Sequence, residues 1–298
     1  MSNLEDYLRM FDNLNVKAGR KPHQPCLLLT VVDLVESSTI TDGIVQLNPA
    51  LRETFSDYFV IVKGPDDKDR PDNPFRYLDS TPFWTLQGEG YTKAEIDSEL
   101  FRYMQSSSDR KTMRERLIRK WFPDHQPVLS KKITFHRESN SYERGLRETV
   151  AGVPAVHEAP PAAKARDRAF RRLVLETYDY RCAASGWRLI IPESHKSRIL
   201  VEAAHLIPYA ESQDDDPRNG IALTPDFHWA LDQDVIAPGP DMKWHVSEVV
   251  DGRIADHKPL LDLRGQDVIT PNKQSMRPRK DALEYRLERL LRRAENTR

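Results

Sequence analysis

The pattern of apolar and polar positions predicts short helices and strands throughout the first 136 residues. Apolar side chains recur every three to four residues in three segments, as in helices that bury one face; these segments are 4–11, 25–35 and 49–58. Short apolar or aromatic runs predict strands at 44–47, 73–78 and 82–86. Residues 110–120 predict a helix with a basic face that suits solvent and DNA equally well. We therefore expect a mixed α/β domain over residues 1–136.

A linker and a second domain are predicted beyond this point. Residues 137–165 lack a sustained apolar period and contain prolines that disfavour helix in the preceding residue, so we expect an extended linker there. The second domain, 166–298, has a helical pattern at 167–178 and strand-like segments; these are 198–207 and 221–223. Thr224, Pro225 and Asp226 then combine an N-cap hydroxyl, a first-turn proline and an acid, which predicts a helix start. With an amphipathic helix at 282–293, the expected fold class is α+β.

Composition narrows the class of protein. The 298 residues carry 45 Lys and Arg against 46 Asp and Glu, for a formal charge of −1, which argues against a globally basic nucleic-acid binder but leaves local basic patches open. No apolar run approaches the ~20 residues of a membrane span. Two distant cysteines cannot provide a disulfide scaffold or a four-cysteine zinc site. We expect a cytoplasmic protein without membrane contact and without structural zinc.

Four polar residues of the second domain form the candidate catalytic set: His205, Asn219, His228 and Asp232. Strand alternation directs His205 toward whatever packs on the strand, and His228 and Asp232 share a helix face because they are four residues apart. A neutral imidazole at His205 can take a proton from water, and a divalent cation held by His228 and Asp232 can neutralise charge on a phosphorane. The set predicts metal-assisted phosphodiester hydrolysis.

Neighbouring polar residues have interpretations that remain open. The Asn219 side chain can fix the preceding loop, or the residue can simply be half of an Asn-Gly turn. The consecutive acids Asp214, Asp215 and Asp216 repel one another, so we interpret them as part of a solvated loop and not as a metal cluster.

Residues 180–236 resemble the HNH (ββα-metal) endonuclease signature in order and spacing. The motifs that carry the resemblance are Cys182 with Ser185-Gly186, Val-Glu-Ala-Ala-His-Leu-Ile-Pro at 201–208, Asn-Gly-Ile-Ala-Leu at 219–223, and 228–232. The resemblance implies that His205 is the general base and that Asn219 organises the loop. It further implies that His228 binds a catalytic Mg²⁺ or Mn²⁺ and that Asp232 stands where many relatives have another ligand. Ala204 replaces the acid or histidine that many relatives place before the base, so more waters or another acid, with Glu202 the nearest, would complete the metal site.

The N-terminal domain resembles the sulfur-binding domain of modification-dependent (type IV-like) restriction endonucleases. The matching segments are Gly-Arg-Lys-Pro-His-Gln-Pro-Cys-Leu-Leu-Leu at 19–29, Asn-Pro-Phe-Arg-Tyr-Leu at 73–78 and Pro-Phe-Trp at 82–84. The resemblance implies an apolar concavity for a phosphorothioate sulfur, lined by Pro74 with Phe75 or Tyr77. Four basic side chains would contact the flanking phosphates: Arg20, Lys21, His23 and Arg76.

The combined prediction is a Mg²⁺- or Mn²⁺-dependent restriction endonuclease that recognises phosphorothioate-modified double-stranded DNA and cuts nearby. One alternative is an HNH nuclease that reads methylated or hydroxymethylated cytosine, which requires an aromatic cage for a flipped base. Another is a DNA-binding module with a catalytically inactive HNH fold, in view of Ala204. A palindromic target would favour a homodimer, since each HNH site cuts one strand.

Overall fold

The computed structural model describes residues 3–14, 21–153, 160–192 and 197–296. The chain divides into two compact units, Met1–Arg144 with Pro192–Ser197, and Gly145–Ile191 with Arg198–Arg298. Both units mix helices and strands. None of the helices in the described ranges is long and apolar enough to cross a bilayer.

In its described residues, the first unit packs seven α-helices against a small sheet. Its helices are α1 (Leu4–Asp12), α2 (His23–Glu36), α3 (Pro49–Val62), α4 (Asp72–Tyr77), α5 (Ser98–Met104), α6 (Ser107–Trp121) and α7 (Gln126–Val150); its strands are β1 (Ile44–Gln46), β2 (Trp84–Gln87) and β3 (Lys93–Ile96). The sheet is antiparallel in the order β1-β3-β2. Every residue of α2 from Gln24 to Glu36 is buried, which makes α2 the central element of this core. The expected helices at 4–11, 25–35 and 49–58 and the strand at 44–47 are confirmed.

The expected strand at 73–78 is wrong, because these residues begin in helix α4. Phe75 and Leu78, three residues apart, are both fully buried, and the Phe75 ring meets Trp84 edge-on at 5.2 Å. Asp72 and Pro74 suit a first helical turn. The aromatic content favoured a strand in the sequence, but the spacing of the buried positions is helical.

Two arginines of the basic face of α6 point into the core, whereas Lys111, Arg119 and Lys120 are exposed. Arg110 and Arg114 are buried, and Arg114 Nη2 lies 2.7 Å from Asp33 Oδ1 and 2.6 Å from Glu36 Oε2. Arg114 therefore neutralises two acids of α2 inside the core. The expectation of an exposed basic face is wrong for these two arginines.

The extended linker predicted at 137–165 is wrong for its first half, because α7 continues through 137–150. This helix docks by polar side chains, which explains the missing apolar period. His136, Asn140 and Glu143 are fully buried, and His136 Nδ1 lies 2.7 Å from Asp33 Oδ2. The boundary between the two units falls at Arg144 and Gly145, inside the helix; residues 154–159 lie outside the described ranges.

The second unit is built from short strands between helices. Its helices are α8 (Ala163–Thr177), α9 (Tyr209–Ser212), α10 (Pro225–Asp232), α11 (Lys258–Leu261) and α12 (Lys280–Asn296); its strands are β4 (Ile190–Pro192), β5 (Ser197–Ile199), β6 (Glu202–His205), β7 (Gly220–Leu223), β8 (Ile236–Pro238) and β9 (Trp244–Val246). The strands pair as β4-β5, β6-β7 and β8-β9. The single strand expected at 198–207 is thus two strands, β5 and β6, and only β6 pairs with β7.

Candidate functional site

The candidate catalytic residues lie on and around the antiparallel hairpin of β6 and β7. Register places His205 opposite Gly220 and Glu202 opposite Leu223. Helix α8 packs so closely on the hairpin that a Cβ at Gly220 would lie 2.4 Å from Val174 and 2.9 Å from Phe170. Glycine at this position therefore lets α8 reach the end of β6, where His205 stands.

His205 is held at its ring face and at one ring nitrogen. Its ring stacks on Phe170 with centroids 3.7 Å apart and an interplanar angle of 5°. Its Nε2 lies 2.9 Å from Asp215 Oδ1. With 22% of the side chain exposed, the ring faces a packed environment and still reaches solvent. Alternation directed His205 toward the element packed on the strand, and that element is α8; the β6 residue that meets His228 of α10 is Glu202.

Asp215 is a member of the site that the sequence interpretation missed. Its carboxylate is fully buried and receives Arg166 Nη1 at 2.9 and 2.8 Å. Its neighbours are also ion-paired, Asp214 with Arg279 at 2.7 Å and Asp216 with Arg218 at 2.6 Å. The expectation of a solvated acidic loop is wrong, because each acid has its own arginine. Arg166 and Arg279 lie far from the loop in sequence, so no local pattern indicated that they pair with Asp215 and Asp214.

Asn219 closes the loop between β6 and β7. It is fully buried; its Nδ2 donates to the carbonyls of Ile207 and Asp214, each at 3.0 Å, and its Oδ1 accepts from Ile207 N at 2.8 Å. These bonds tie the start and the end of the loop together. The Asn219 side chain therefore fixes the backbone that follows His205, and Asn219 is more than one half of an Asn-Gly turn.

Helix α10 carries the second histidine. Thr224 is its N-cap residue and Pro225 occupies the first turn, but the Thr224 hydroxyl makes no capping hydrogen bond and instead lies 3.8 Å from Cys182 Sγ. Cys182 Sγ also accepts from Thr224 N at 3.4 Å. A buried, free cysteine thus anchors the start of α10.

His228 lies between two carboxylates that face different ring nitrogens. Nδ1 is 2.9 Å from Glu202 Oε2 and Nε2 is 3.5 Å from Asp232 Oδ2. Carboxylate oxygens suit Mg²⁺ or Mn²⁺, and a neutral imidazole is a common further ligand of divalent metal ions. Since the ring nitrogens point in different directions, one cation can share His228 with only one of these acids. Accordingly, the described ranges contain no group of three or more His, Cys, Asp or Glu side chains that could hold a metal.

The donor set therefore fits a cation with two protein ligands, completed by water. Mg²⁺ commonly keeps several waters and takes one or two carboxylates. A metal-binding histidine usually donates its other N–H to a carboxylate, which fixes the tautomer. Glu202 stands in that relation to His228, on the side of the ring away from Asp232.

Arg286 of α12 joins the two halves of the site. Its Nη2 donates to the His205 carbonyl at 2.9 Å and its Nη1 to the Leu231 carbonyl at 3.3 Å, and the side chain is 3% exposed. A buried guanidinium therefore links the end of β6 to the end of α10. The sequence interpretation treated α12 only as an amphipathic helix.

A cavity of about 690 Å³ in the first unit, called the reader cavity after the role proposed for it below, brings together the other candidate residues within the described ranges. Its walls include the residues expected at the modification site, namely Lys21, His23, Pro74, Arg76 and Tyr77. Pro74 is buried and Tyr77 is 65% exposed, whereas Phe75 points into the core and does not line the cavity. Arg20 lies outside the described residues.

Basic side chains lie at the rim of the reader cavity, and a nearby acid neutralises part of their charge. Lys21 Nζ pairs with Asp67 at 2.7 Å. His23 Nε2 lies 2.8 Å from the Lys68 carbonyl, and burial lowers the pKa of its ring from the ordinary 6.5. The lowered pKa favours the neutral ring, whose Nε2–H donates that hydrogen bond; a phosphate contact by His23 stays a prediction. Arg76 is exposed at the rim.

Residues 182–237 match the model of the HNH endonuclease family. Residues 182–237 of the second unit therefore carry an HNH endonuclease domain, and the resemblance seen over 180–236 is confirmed. A solved structure described as a modification dependent TagI restriction endonuclease is similar at 16% identity and a TM-score of 0.31, covering 47% of this chain and 42% of that one. The matched region is thus less than half of that protein's length. No curated protein matches this chain.

Proposed function

We propose that the protein is a modification-dependent restriction endonuclease, with His205 as general base and a divalent cation at His228 and Asp232. The supporting observation is the position of His205 at the end of β6, fixed by Phe170 and Asp215 but still open to solvent. A ring held in this way can take a proton from a water molecule beside a phosphodiester.

The metal-binding half of the proposal uses α10. Glu202 accepts the Nδ1–H of His228, which leaves Nε2 as a ligand beside Asp232. A divalent cation bound there would neutralise charge on the phosphate and stabilise the leaving alkoxide. Arg286 keeps the backbone of α10 and β6 in register for this purpose.

The reader cavity binds the modified DNA and so selects the substrate. A phosphorothioate sulfur is larger, softer and less hydrated than oxygen, so an apolar surface such as Pro74 with Tyr77 can favour it. Lys21 and Arg76 at the rim supply phosphate contacts that position the duplex without reading its sequence.

A second candidate is recognition of methylated or hydroxymethylated cytosine. The cavity is large enough for a whole nucleotide, which favours this reading. A flipped base, however, stacks between aromatic or apolar side chains, and Tyr77 is the sole Phe, Tyr or Trp lining the cavity in the described part of the chain. We therefore place phosphorothioate recognition first.

The test is cleavage of three plasmids of one sequence, carrying phosphorothioates, methylated cytosines or no modification, with Mg²⁺, Mn²⁺ or EDTA. We expect metal-dependent cutting of the phosphorothioate plasmid. The His205→Ala variant should bind this DNA normally and fail to cut it. Cutting only of methylated DNA would support the second candidate, and metal-dependent nicking under no condition would support an inactive HNH fold.

Cleavage of both strands requires two HNH sites at a palindromic target, so we propose that the protein acts as a homodimer on DNA. Analytical ultracentrifugation with and without a palindromic duplex tests this. A strictly monomeric complex would contradict it.

A further inference from the structure

We propose that Asp215 is a positioning residue that fixes the tautomer and the direction of the His205 ring, so that Nδ1 is the nitrogen that accepts the proton. The inference rests on the proposed function, because it takes His205 as the general base. It extends that function by assigning a role to a residue outside the HNH signature motifs.

The geometry defines which nitrogen carries hydrogen. Asp215 is fully buried, and both of its oxygens lie within 3 Å of Arg166 Nη1. A carboxylate paired in this way with a guanidinium is ionised and can only accept hydrogen bonds. The His205 Nε2 that lies 2.9 Å from it must therefore carry the hydrogen, which leaves the lone pair of a neutral ring on Nδ1.

Two aromatic contacts restrict the remaining freedom of this pair. The parallel stack of His205 on Phe170 opposes rotation of the imidazole. The guanidinium of Arg166 lies 3.4 Å from the centre of the Tyr209 ring, so the arginine that holds Asp215 is itself held. Both Arg166 and Phe170 belong to α8, the first helix of the second unit.

The charged groups around the base are consistent with this role. Asp215 contacts the ring and is itself paired with Arg166, whereas Arg286 contacts His205 only at its main-chain carbonyl. In the reaction, an O–H bond of water breaks, its proton goes to Nδ1, and the oxygen forms a bond to phosphorus as the P–O bond to the leaving oxygen breaks. The imidazolium that results keeps its Nε2–H on Asp215, which stabilises the positive charge.

The first test reads the tautomer directly in the full-length wild-type protein. Ring ¹⁵N chemical shifts of ¹⁵N-histidine-labelled protein, with His205 identified by its loss in His205→Ala, should show the Nε2–H form. An Nδ1–H form would overturn the proposal whatever DNA the protein cuts, and this measurement needs no variant of Asp215.

The second test is single-turnover cleavage of a phosphorothioate-bearing duplex with Mn²⁺. The amide of Asp215→Asn can donate to Nε2 and stabilise the wrong tautomer, so the cleavage rate should fall by at least about 10-fold. The loss should not exceed the ~10⁴-fold that a general base contributes. The affinity for DNA should stay unchanged. The matched control is Asp216→Asn, which alters a buried, arginine-paired carboxylate of the same loop that does not contact His205. Its rate should remain within about twofold of wild type.

A double variant separates positioning from a purely structural role. If Asp215 acts through His205, adding Asp215→Asn should not lower the slow residual single-turnover rate of His205→Ala, measured over long incubation with excess protein, because residues that act as a unit are not additive. A further loss in the double variant, or an unchanged rate in Asp215→Asn, would overturn the positioning role. Full activity of His205→Ala would instead refute the proposed base itself, so the two failures are distinguishable.

Discussion

The two histidines of the nuclease site face different kinds of carboxylate. His205 meets Asp215, which is buried and held by an arginine, whereas His228 lies between Glu202 and Asp232, each about half exposed. A buried, paired carboxylate keeps its partner ring in one direction. An exposed carboxylate can exchange a hydrogen bond for a cation at little cost. The residues around His205 thus suit proton transfer, and those around His228 suit metal binding.

The first residue-scale prediction separates the roles of the two acids at His228. Asp232→Asn removes the charged oxygen beside Nε2, so the Mn²⁺ concentration for half-maximal cleavage should rise by about 10- to 100-fold. In Glu202→Gln the amide oxygen can still accept the Nδ1–H, so its metal requirement should change by less. Metal titrations of cleavage rate measure both.

The control for these variants is Asp226→Asn, on the exposed first turn of the same helix. Its metal requirement should equal that of wild type. If Glu202→Gln raised the requirement more than Asp232→Asn, the cation would lie on the Nδ1 side of His228, and our assignment of Asp232 as ligand would be wrong.

At the scale of elements, four helices of the first unit meet at one buried carboxylate. Asp33 of α2 receives Arg114 of α6, His136 of α7 and, at 2.5 Å, the hydroxyl of Tyr58 from α3. Burial by itself would raise the pKa of Asp33, but the Arg114 charge and the hydrogen bonds from His136 and Tyr58 outweigh it and hold the pKa well below its ordinary 3.8. The ionised carboxylate is therefore part of the fold.

Removing this charge should destabilise the first unit in a pH-dependent way. Asp33→Asn leaves Arg114 without its main partner, and breaking a buried pair costs about 3–5 kcal/mol of unfolding free energy at pH 7. Because the folded pKa is lowered, the stabilisation by Asp33 is complete above the unfolded pKa and is lost as the pH falls from about 5 toward the folded pKa. The difference between wild type and variant should shrink on acidification.

Scanning calorimetry of the full chain at pH 7 and pH 4 measures this difference. The control is Asp124→Asn, an exposed acid of the same unit, which should leave the transition temperature within about one degree. An Asp33→Asn difference that grew toward acid pH would contradict the assigned direction of the shift.

Elements with one apolar face were predictable from sequence, and elements stabilised by buried polar pairs were not. The spacing at Leu4, Leu8 and Phe11 indicated α1 because all its information is local. The docked face of α7 carries the polar residues His136 and Asn140, whose partners lie about a hundred residues away in sequence. The buried face of α7 therefore shows no apolar periodicity in the sequence.

The same distinction applies within the nuclease site. His205, Asn219, His228 and Asp232 were predicted from their spacing, and Glu202 was named as the nearest further acid. Arg166, Asp215 and Arg286 act through pairings that only the folded chain creates.

At the scale of the whole molecule, the reader cavity and the nuclease site belong to different compact units. No residue that lines the cavity belongs to the HNH domain, and the Asp215–His205 pair draws all its contacts described above from the second unit. Recognition and chemistry should therefore respond to separate substitutions within the same chain.

Tyr77→Ala tests this separation, because it removes an exposed ring from the cavity with little expected effect on the core. We expect the affinity for a phosphorothioate duplex to fall by about tenfold or more, corresponding to about 1.4 kcal/mol of lost contact. Single-turnover cleavage at saturating protein should keep its wild-type rate, since bound DNA meets an unaltered nuclease site. His205→Ala should show the opposite result, with normal affinity and no cleavage.

The matched control is Val60→Ala, which trims another exposed apolar side chain of the first unit that does not line the cavity. Its affinity for modified and plain duplexes should equal that of wild type. If Tyr77→Ala bound phosphorothioate and plain duplexes with an unchanged ratio of affinities, the cavity would not be where the modification is read. If it instead slowed cleavage at saturation, the two units would be coupled in the chemical step.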